Sequence, residues 1–343
     1  MLKKQKFFSK RGVFLKEFVI AANDAGQRLD KFISKAVPAL PQALLYKYIR
    51  TKRIKVNGKR GDIAQRLAAG DTVALWISDE FFAPVEKRYD FLSASRQLSV
   101  VYEDENLLLL DKKVGLLCHP DDHEFGDTLI ARVQRYLYEK GEYDPAAEAS
   151  FAPALVNRID RNTGGLVIAA KNAESLRILN QKLKDREIEK YYLCVVHGTL
   201  PAQQGVLTGW LTKDAEKNKV TVFDRRLPGA KEIRTKYRVL ETRGALSLVE
   251  VELLTGRTHQ IRAHFASIGH PLLGDGKYGT NRQNKAFGYK KQFLYSYRLR
   301  FAFTTDAGPL NALNGRSFAV DDVWFAREFR SGALDPPAKS RKF

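Results

Sequence analysis

The sequence predicts an α+β protein built in two units, and three observations carry that prediction. Strand-like and helix-like runs mix along the 343 residues without the regular alternation of a doubly wound sheet. A strong hairpin signal, Asn57-Gly58, lies inside a short N-terminal segment that also holds two helical patterns. A stretch of little periodicity, 79–97, then separates that segment from a longer one, which opens on two consecutive β-rich runs. A chain of this length can bury two cores.

In the first unit, 17–78, "EFVIAA" reads as a strand. Leu29, Phe32 and Ile33 fall at one-face helical spacing, as do Leu44, Leu45, Tyr48 and Ile49. "IKVNGKR" alternates and then turns, and "GDTVALWI" supplies a further strand. The basic stretch 1–16 lacks the apolar core of a secretion signal and reads as a flexible arm. The second unit, 98–330, begins with "LSVVYED" and "NLLLLDKK" around an acidic turn. "DTLIARVQRYLYEKG" is an amphipathic helix with a glycine stop. "ALVNRID" and "GLVIAAK" read as strands about a turn, and Asn172 is the expected cap of the helix that follows. "KYYLCVVHG" and "LSLVEVELL" are strands, "THQIRAHFASIG" is a helix, and 331–343 is a polar tail.

A formal net charge of +19 draws polyanions, and nucleic acid is the leading partner because a basic surface displaces condensed counterions from phosphates. No apolar run is long enough to span a bilayer. The two cysteines, Cys118 and Cys194, lie far apart and form no CxxC pair, which fits a reducing cytoplasm and no zinc ribbon. Between residues 47 and 60 stand Lys47, Arg50, Lys52, Arg53, Lys55, Lys59 and Arg60, with no acid among them. One-sign charge at a helix–strand corner costs self-repulsion unless an anion relieves it, so these seven are the candidate RNA contacts.

Asp160 stands between Arg158 and Arg161 in "NRIDRNTGG", and a nearby guanidinium favours an ionised acid. Taken alone, that pattern is better explained as a strand-end ion pair, since ion pairs are common and catalytic carboxylates rare. "GRTHQIRAH" gathers Arg257, His259, Arg262 and His264, but the histidine spacing is wrong for a helical zinc site, and anion recognition is the more natural reading. "GDGKYG" lacks the spacing and final hydroxyl of a nucleotide-triphosphate loop. Taken alone, Tyr192 is a sheet aromatic and His119-Pro120 a turn.

Together these segments resemble the RluA family of pseudouridine synthases. "VNRIDRNTGGLVIAAK" is similar to its "HRLDxxTSGLxxxAK" signature, and "VVYEDENLLLLDKKVGLLCHP" to its opening "YEDExLLVxNKPxGLxxHP" segment. "KYYLCVVHG" is similar to its "KxYxAxVxG" strand. "TGRTHQIRAHFASIGHPLLGDGKYG" is similar to "TGRxHQxRxHxxxxGHPxxGDxxYG". The first unit is similar to the RNA-binding domain named after the fourth ribosomal small-subunit protein, a pairing typical of the RluC and RluD branches. The resemblance spans roughly residues 17 to 305. It implies the pseudouridine synthase fold, with a central mixed, largely antiparallel sheet beside a small N-terminal α/β RNA-binding domain.

It also implies that Asp160 is the nucleophile, on the sugar or on the base. Tyr192 would stack on the base and help remove the carbon-5 proton, and Arg262 would hold Asp160 ionised and aimed. Arg158 would help fill the space of the extruded nucleotide, and Arg161, His119, Arg257 and His259 would line the substrate. The expected partner is RNA, foremost 23S ribosomal RNA or an assembling large subunit, met by a monomer without cofactor or metal. Transfer RNA as substrate, or a non-catalytic RNA-binding role, are the rival readings. Two positions depart from the signature: Asn157 replaces the usual His, and Gly164 the usual Ser, where it is expected to loosen the loop.

Overall fold

The computed structural model describes residues 9–10, 13–82, 89–122, 124–280, 284, 288–289 and 291–334. Its first sheet has the order β1-β2-β5-β3-β4, from β1 (Ser9–Lys10), β2 (Val13–Val19), β3 (Ile54–Val56), β4 (Lys59–Arg60) and β5 (Thr72–Ile77). Helices α1 (Leu29–Ala36) and α2 (Gln42–Arg50) bury Leu29, Phe32, Ile33, Leu45 and Ile49 against it. Asn57 and Gly58 both take positive φ, 51° and 76°, as the two-residue turn between β3 and β4 requires. The strand read as "EFVIAA" starts earlier and ends at Val19, so part of the 1–16 stretch read as an arm is strand.

The larger sheet comprises β6 (Val100–Glu103), β7 (Leu107–Lys112), β8 (Ala154–Leu155), β9 (Gly164–Ala170), β10 (Ile188–His197), β11 (Gln204–Asp214), β12 (Lys219–Phe223), β13 (Lys231–Arg243), β14 (Leu246–Leu253), β15 (Leu294–Phe301) and β16 (Ser317–Ala319). Its main path runs β12-β11-β13-β14-β10-β15-β9-β7-β6. Pairing is antiparallel except between β9 and β15, which makes the sheet mixed and largely antiparallel.

Both faces are covered, which explains the unbroken apolar run in β7. Leu108 and Leu110 meet α3 (Leu129–Glu139), while Leu107 and Leu109 meet α4 (Ala173–Lys184). Further along, Tyr192 and Cys194 of β10 face α5 (Gln260–Ser267), and Leu193 and Val195 face α6 (Trp324–Ser331). Asn172 caps α4 by accepting the Ser175 N–H at 2.8 Å.

Three sequence readings change. "ALVNRID" is strand only at Ala154–Leu155, and 156–163 form a loop. The second half of the 79–97 linker packs on the larger unit, with Phe91 and Ala94 buried against Ala131. The stretch 204–243, unassigned from the sequence, holds two long strands, β11 and β13, and the short β12 between them. Of the 331–343 tail, Ser331 ends α6 and Leu334 is buried, while 335–343 lie outside the described residues. The two units touch through side chains: Ser150 donates to Asp24 at 2.5 Å and accepts from Gln27 at 2.7 Å.

Candidate active site

The loop carrying Asp160 is pinned from both sides. Ile159 packs into the α3 cluster and the α5 cluster together, so its neighbour Asp160 is set between them. Asn157 replaces a missing strand rung: its Oδ1 accepts the Ile168 N–H at 2.8 Å. Lys112, fully buried, donates to the carbonyls of Lys113, Leu116 and Arg161 at 3.1, 2.7 and 3.1 Å. That tripod ties the 113–116 turn to the residue following Asp160. Burial lowers the Lys112 ammonium to about 8, against the pull of nearby Asp160 and Asp111.

Arg262, on α5, donates to Asp160 Oδ2 at 2.8 Å. Its other edge makes a two-point contact with Asp275, Nε to Oδ2 at 2.7 Å and Nη2 to Oδ1 at 3.0 Å. Asp275 is fully buried and also accepts the N–H groups of Lys277 and Tyr278. Burial opposes the Arg262 charge, but the two carboxylates outweigh it and hold the guanidinium more firmly protonated than an ordinary arginine. The pair is therefore a clamp: Asp275 fixes Arg262, and Arg262 aims Asp160.

His259 occupies the N-cap of α5 in a left-handed conformation, φ 53°, which costs strain in a non-glycine residue. The Tyr278 oxygen accepts the Val220 N–H at 3.0 Å, and its hydroxyl shares a hydrogen bond of 2.9 Å with His259 Nδ1. His259 Nε2 faces Asp160 Oδ2 at 3.8 Å, beyond hydrogen-bond distance. Burial lowers the His259 pKa, against the pull of Asp160.

Tyr192 is buried on the same face. Burial pushes its phenol up to about 12, a hydrogen bond with Ser296 works against that, and the Asp160 charge adds to it. Ser296 faces Tyr192 across β10–β15. On the other side of Ser296, at Gly165, a Cβ would sit 2.2 Å from the Ser296 carbonyl oxygen, at φ 110°. Only glycine fits. At Gly164 a Cβ would meet the Tyr295 ring at 2.4 Å, so this residue admits an aromatic into the sheet and does not loosen the loop.

Residues 106–267 match the RNA pseudouridylate synthase family. An uncharacterized RNA pseudouridine synthase of Mycoplasma genitalium is 31% identical over 292 residues, covering 83% of this chain and 88% of that protein. The chain belongs to this family. It is an RNA pseudouridine synthase. The ribosomal large subunit pseudouridine synthase C of Vibrio cholerae is 32% identical over 286 residues, 81% of this chain and 85% of that protein. A solved human structure, RNA pseudouridylate synthase domain containing 4, shares the fold, with a TM-score of 0.55 at 20% identity over 70% of this chain and 95% of that one.

Of the residues singled out in the sequence, the synthase brings Asp160, Arg262, His259 and Tyr192 to one side of the sheet. His119 lies near Arg158, its pKa lowered by burial and then by that guanidinium, and its Nδ1 is buried without a hydrogen-bond partner among the described residues. Arg158 is exposed. Arg161 is exposed too and donates to the Gly115 carbonyl at 3.1 Å. Arg257 is exposed on the loop before α5, where its backbone N–H donates to Gln260 Oε1 and its carbonyl accepts the Gln260 N–H, both at 3.1 Å. At the other unit Lys47, Arg50, Lys52, Arg53, Lys59 and Arg60 are exposed, and half-buried Lys55 lies 4.9 Å from the Trp76 ring centre. Sequence reasoning missed Asp275 and Lys112. Asp275 lay inside the quoted "GDGKYG" match, and Lys112 was a charge at the end of an apolar strand.

Proposed function

We propose that the synthase isomerises specific uridines in structured RNA of the large ribosomal subunit, with Asp160 as nucleophile. The observation that carries this reading is the clamp, in which Asp275 holds Arg262 and Arg262 holds Asp160 at 2.8 Å. A carboxylate so fixed is suited to form a covalent intermediate. The bond between ribose C1′ and uracil N1 breaks, the base turns, C1′ bonds to C5, and the proton displaced from C5 is balanced by one gained at N1. Attack at the sugar and attack at the base both give this net result. Tyr192 is a neutral phenol at pH 7, so it enters as a hydroxyl beside the base; acting as the C5 base requires the bound substrate to lower its pKa. Arg158, Arg161 and His119 line the entrance, and the target must leave its stack to arrive there.

The ribosomal target is supported by the name of the Vibrio relative and by the exposed cations of the first unit, which would grip phosphates and position the RNA without reading it. In this reading 17–78 is an RNA-binding domain, and the enzyme works as a monomer in the cytoplasm. The test is a pseudouridine map of cellular RNA with and without the gene, rescued by wild type or by Asp160→Asn. Sites in large-subunit RNA lost on deletion and restored by wild type alone are expected. Restoration by Asp160→Asn would end the nucleophile assignment, and lost sites confined to transfer RNA would move the substrate.

A further inference from the structure

The small sheet of the first unit buries one face against helices and turns the other outward. Ile54 and Val56 of β3, with Val73, Leu75 and Ile77 of β5, belong to the core under α1 and α2. Residues between them point to the opposite face. On that outer face Leu15, Lys55 and Trp76 are half-buried, Glu17 and Arg60 are exposed, and Val19 is 57% exposed. Strand register fixes which of them meet. Trp76 stands opposite Leu15, and Lys55 stands opposite Ala74 on one side and Arg60 on the other.

Like charges placed directly opposite on paired strands repel, yet Lys55 and Arg60 are so placed. Glu17 is the only acid in the sequences of β2 to β5, and it lies two strands from Lys55, beyond Ala74. Among the described residues neither cation has an ion-pair partner. Lys55 rests on a ring instead, its ammonium 4.9 Å from the centre of Trp76. A cation over a partly exposed ring is a weak contact, readily exchanged for a charged one. An unpaired nucleotide answers both features. Its phosphate relieves the repulsion between Lys55 and Arg60, and its base takes the ring face that the ammonium gives up.

We propose that the outer face of the first sheet takes an unpaired stretch of RNA, with a base stacked on Trp76 and a phosphate between Lys55 and Arg60. The site rests on the first unit being an RNA-binding domain, and it names the form of RNA that the unit prefers, single strand over duplex. The probes are a short oligouridylate and a perfect RNA duplex, each bound by the full-length protein. Oligouridylate should quench tryptophan fluorescence, and that quenching should vanish in Trp76→Phe, which keeps a ring and binds nearly as well. Trp76→Leu is apolar without a π-face. It should bind oligouridylate roughly five- to hundred-fold more weakly, the scale of a lost base–aromatic stack, and bind the duplex as wild type does. Lys55→Gln should flatten the slope of log affinity for oligouridylate against log salt by about 0.7. Equal affinity of wild type and Trp76→Leu for oligouridylate would overturn the proposal. So would an equal loss on the duplex, which would make Trp76 a residue of the fold alone, or quenching that persists in Trp76→Phe, which would put the RNA on another tryptophan. Lys59 on β4 pairs with Val56, which faces the core, and so lies off this face. If Lys59→Gln flattens the salt slope while Trp76→Leu changes nothing, the unit binds RNA elsewhere and only this site falls. If neither changes anything, the RNA-binding reading of the unit falls with it. The signal needs no turnover, so Asp160→Asn should behave like wild type whatever the pseudouridine map shows.

Discussion

At the corner of α2, β3 and β4, six cationic side chains stand in solvent with no carboxylate opposite them among the described residues; in the Asp160 pocket, Arg262 is nine-tenths buried between two. The same chemical groups do different things in the two places. A surface cation keeps its hydration and gains by releasing counterions from any phosphate it meets, so its position tolerates change. A buried guanidinium has lost its water, and its charge is tolerated because carboxylates replace that water, Asp275 through the two-point contact foremost. Burial therefore turns charge into geometry, and exposure keeps it as affinity.

The largest expected effect breaks the pocket side of this contrast. Asp160→Asn should lower the single-turnover rate on the order of 10⁴-fold or more, as loss of a nucleophile does, while RNA affinity stays near wild type. Asp275→Asn touches no reacting atom, yet it removes the charge that fixes Arg262. Breaking a buried pair costs roughly 3–5 kcal/mol, so its thermal midpoint should fall far more than that of Asp160→Asn, which leaves Arg262 its two-point partner. Equal midpoints for the two variants would show that Asp275 is no clamp.

Tyr192 sharpens the contrast with a smaller effect. Tyr192→Phe should cost roughly 10²-fold in single-turnover rate if the hydroxyl takes part in proton transfer, with packing preserved. Since burial pushes the phenol up to about 12, the free enzyme should show no tyrosine limb in kcat/KM near pH 10, where an ordinary tyrosine ionises. A limb at pH 10 would mean that the pocket is wetter than its buried face implies.

How far the sequence reached follows the same division between local and distant causes. The Asn57-Gly58 turn, the Asn172 cap and the pair of strands β6 and β7 about an acidic turn are local patterns, and all three appear as read. The β13 strand carried a readable alternation as well, with Ile233, Thr235 and Tyr237 inward, but charged residues between them masked it. The clamp could not be read from periodicity, because Asp160 and Arg262 lie 102 residues apart in the chain. Only the family resemblance paired them. It did not reveal Asp275, whose role depends on the buried edge of Arg262. The Gly164 departure was misjudged because the ring that fills its place, Tyr295, comes from a distant strand.

The smallest effect belongs to the exposed side, and the interface between the units decides how to seek it. Deleting 1–78 would strip the basic corner, but it would also bare Ser150 and Glu148, which hydrogen-bond to Asp24, Gln27 and Asn23. A loss of affinity would then have two causes. Lys59→Gln with Arg60→Gln changes two exposed residues in β4 and leaves that interface alone. If each meets one phosphate, the slope of log affinity against log salt should flatten by roughly 1.4 to 1.8, with the rate at saturating RNA unchanged. A fall in that saturated rate would join the two regions, because it would mean that the corner helps place the uridine at Asp160. An unchanged slope would instead free the corner from RNA altogether and leave its unmatched charge without a purpose in this reaction.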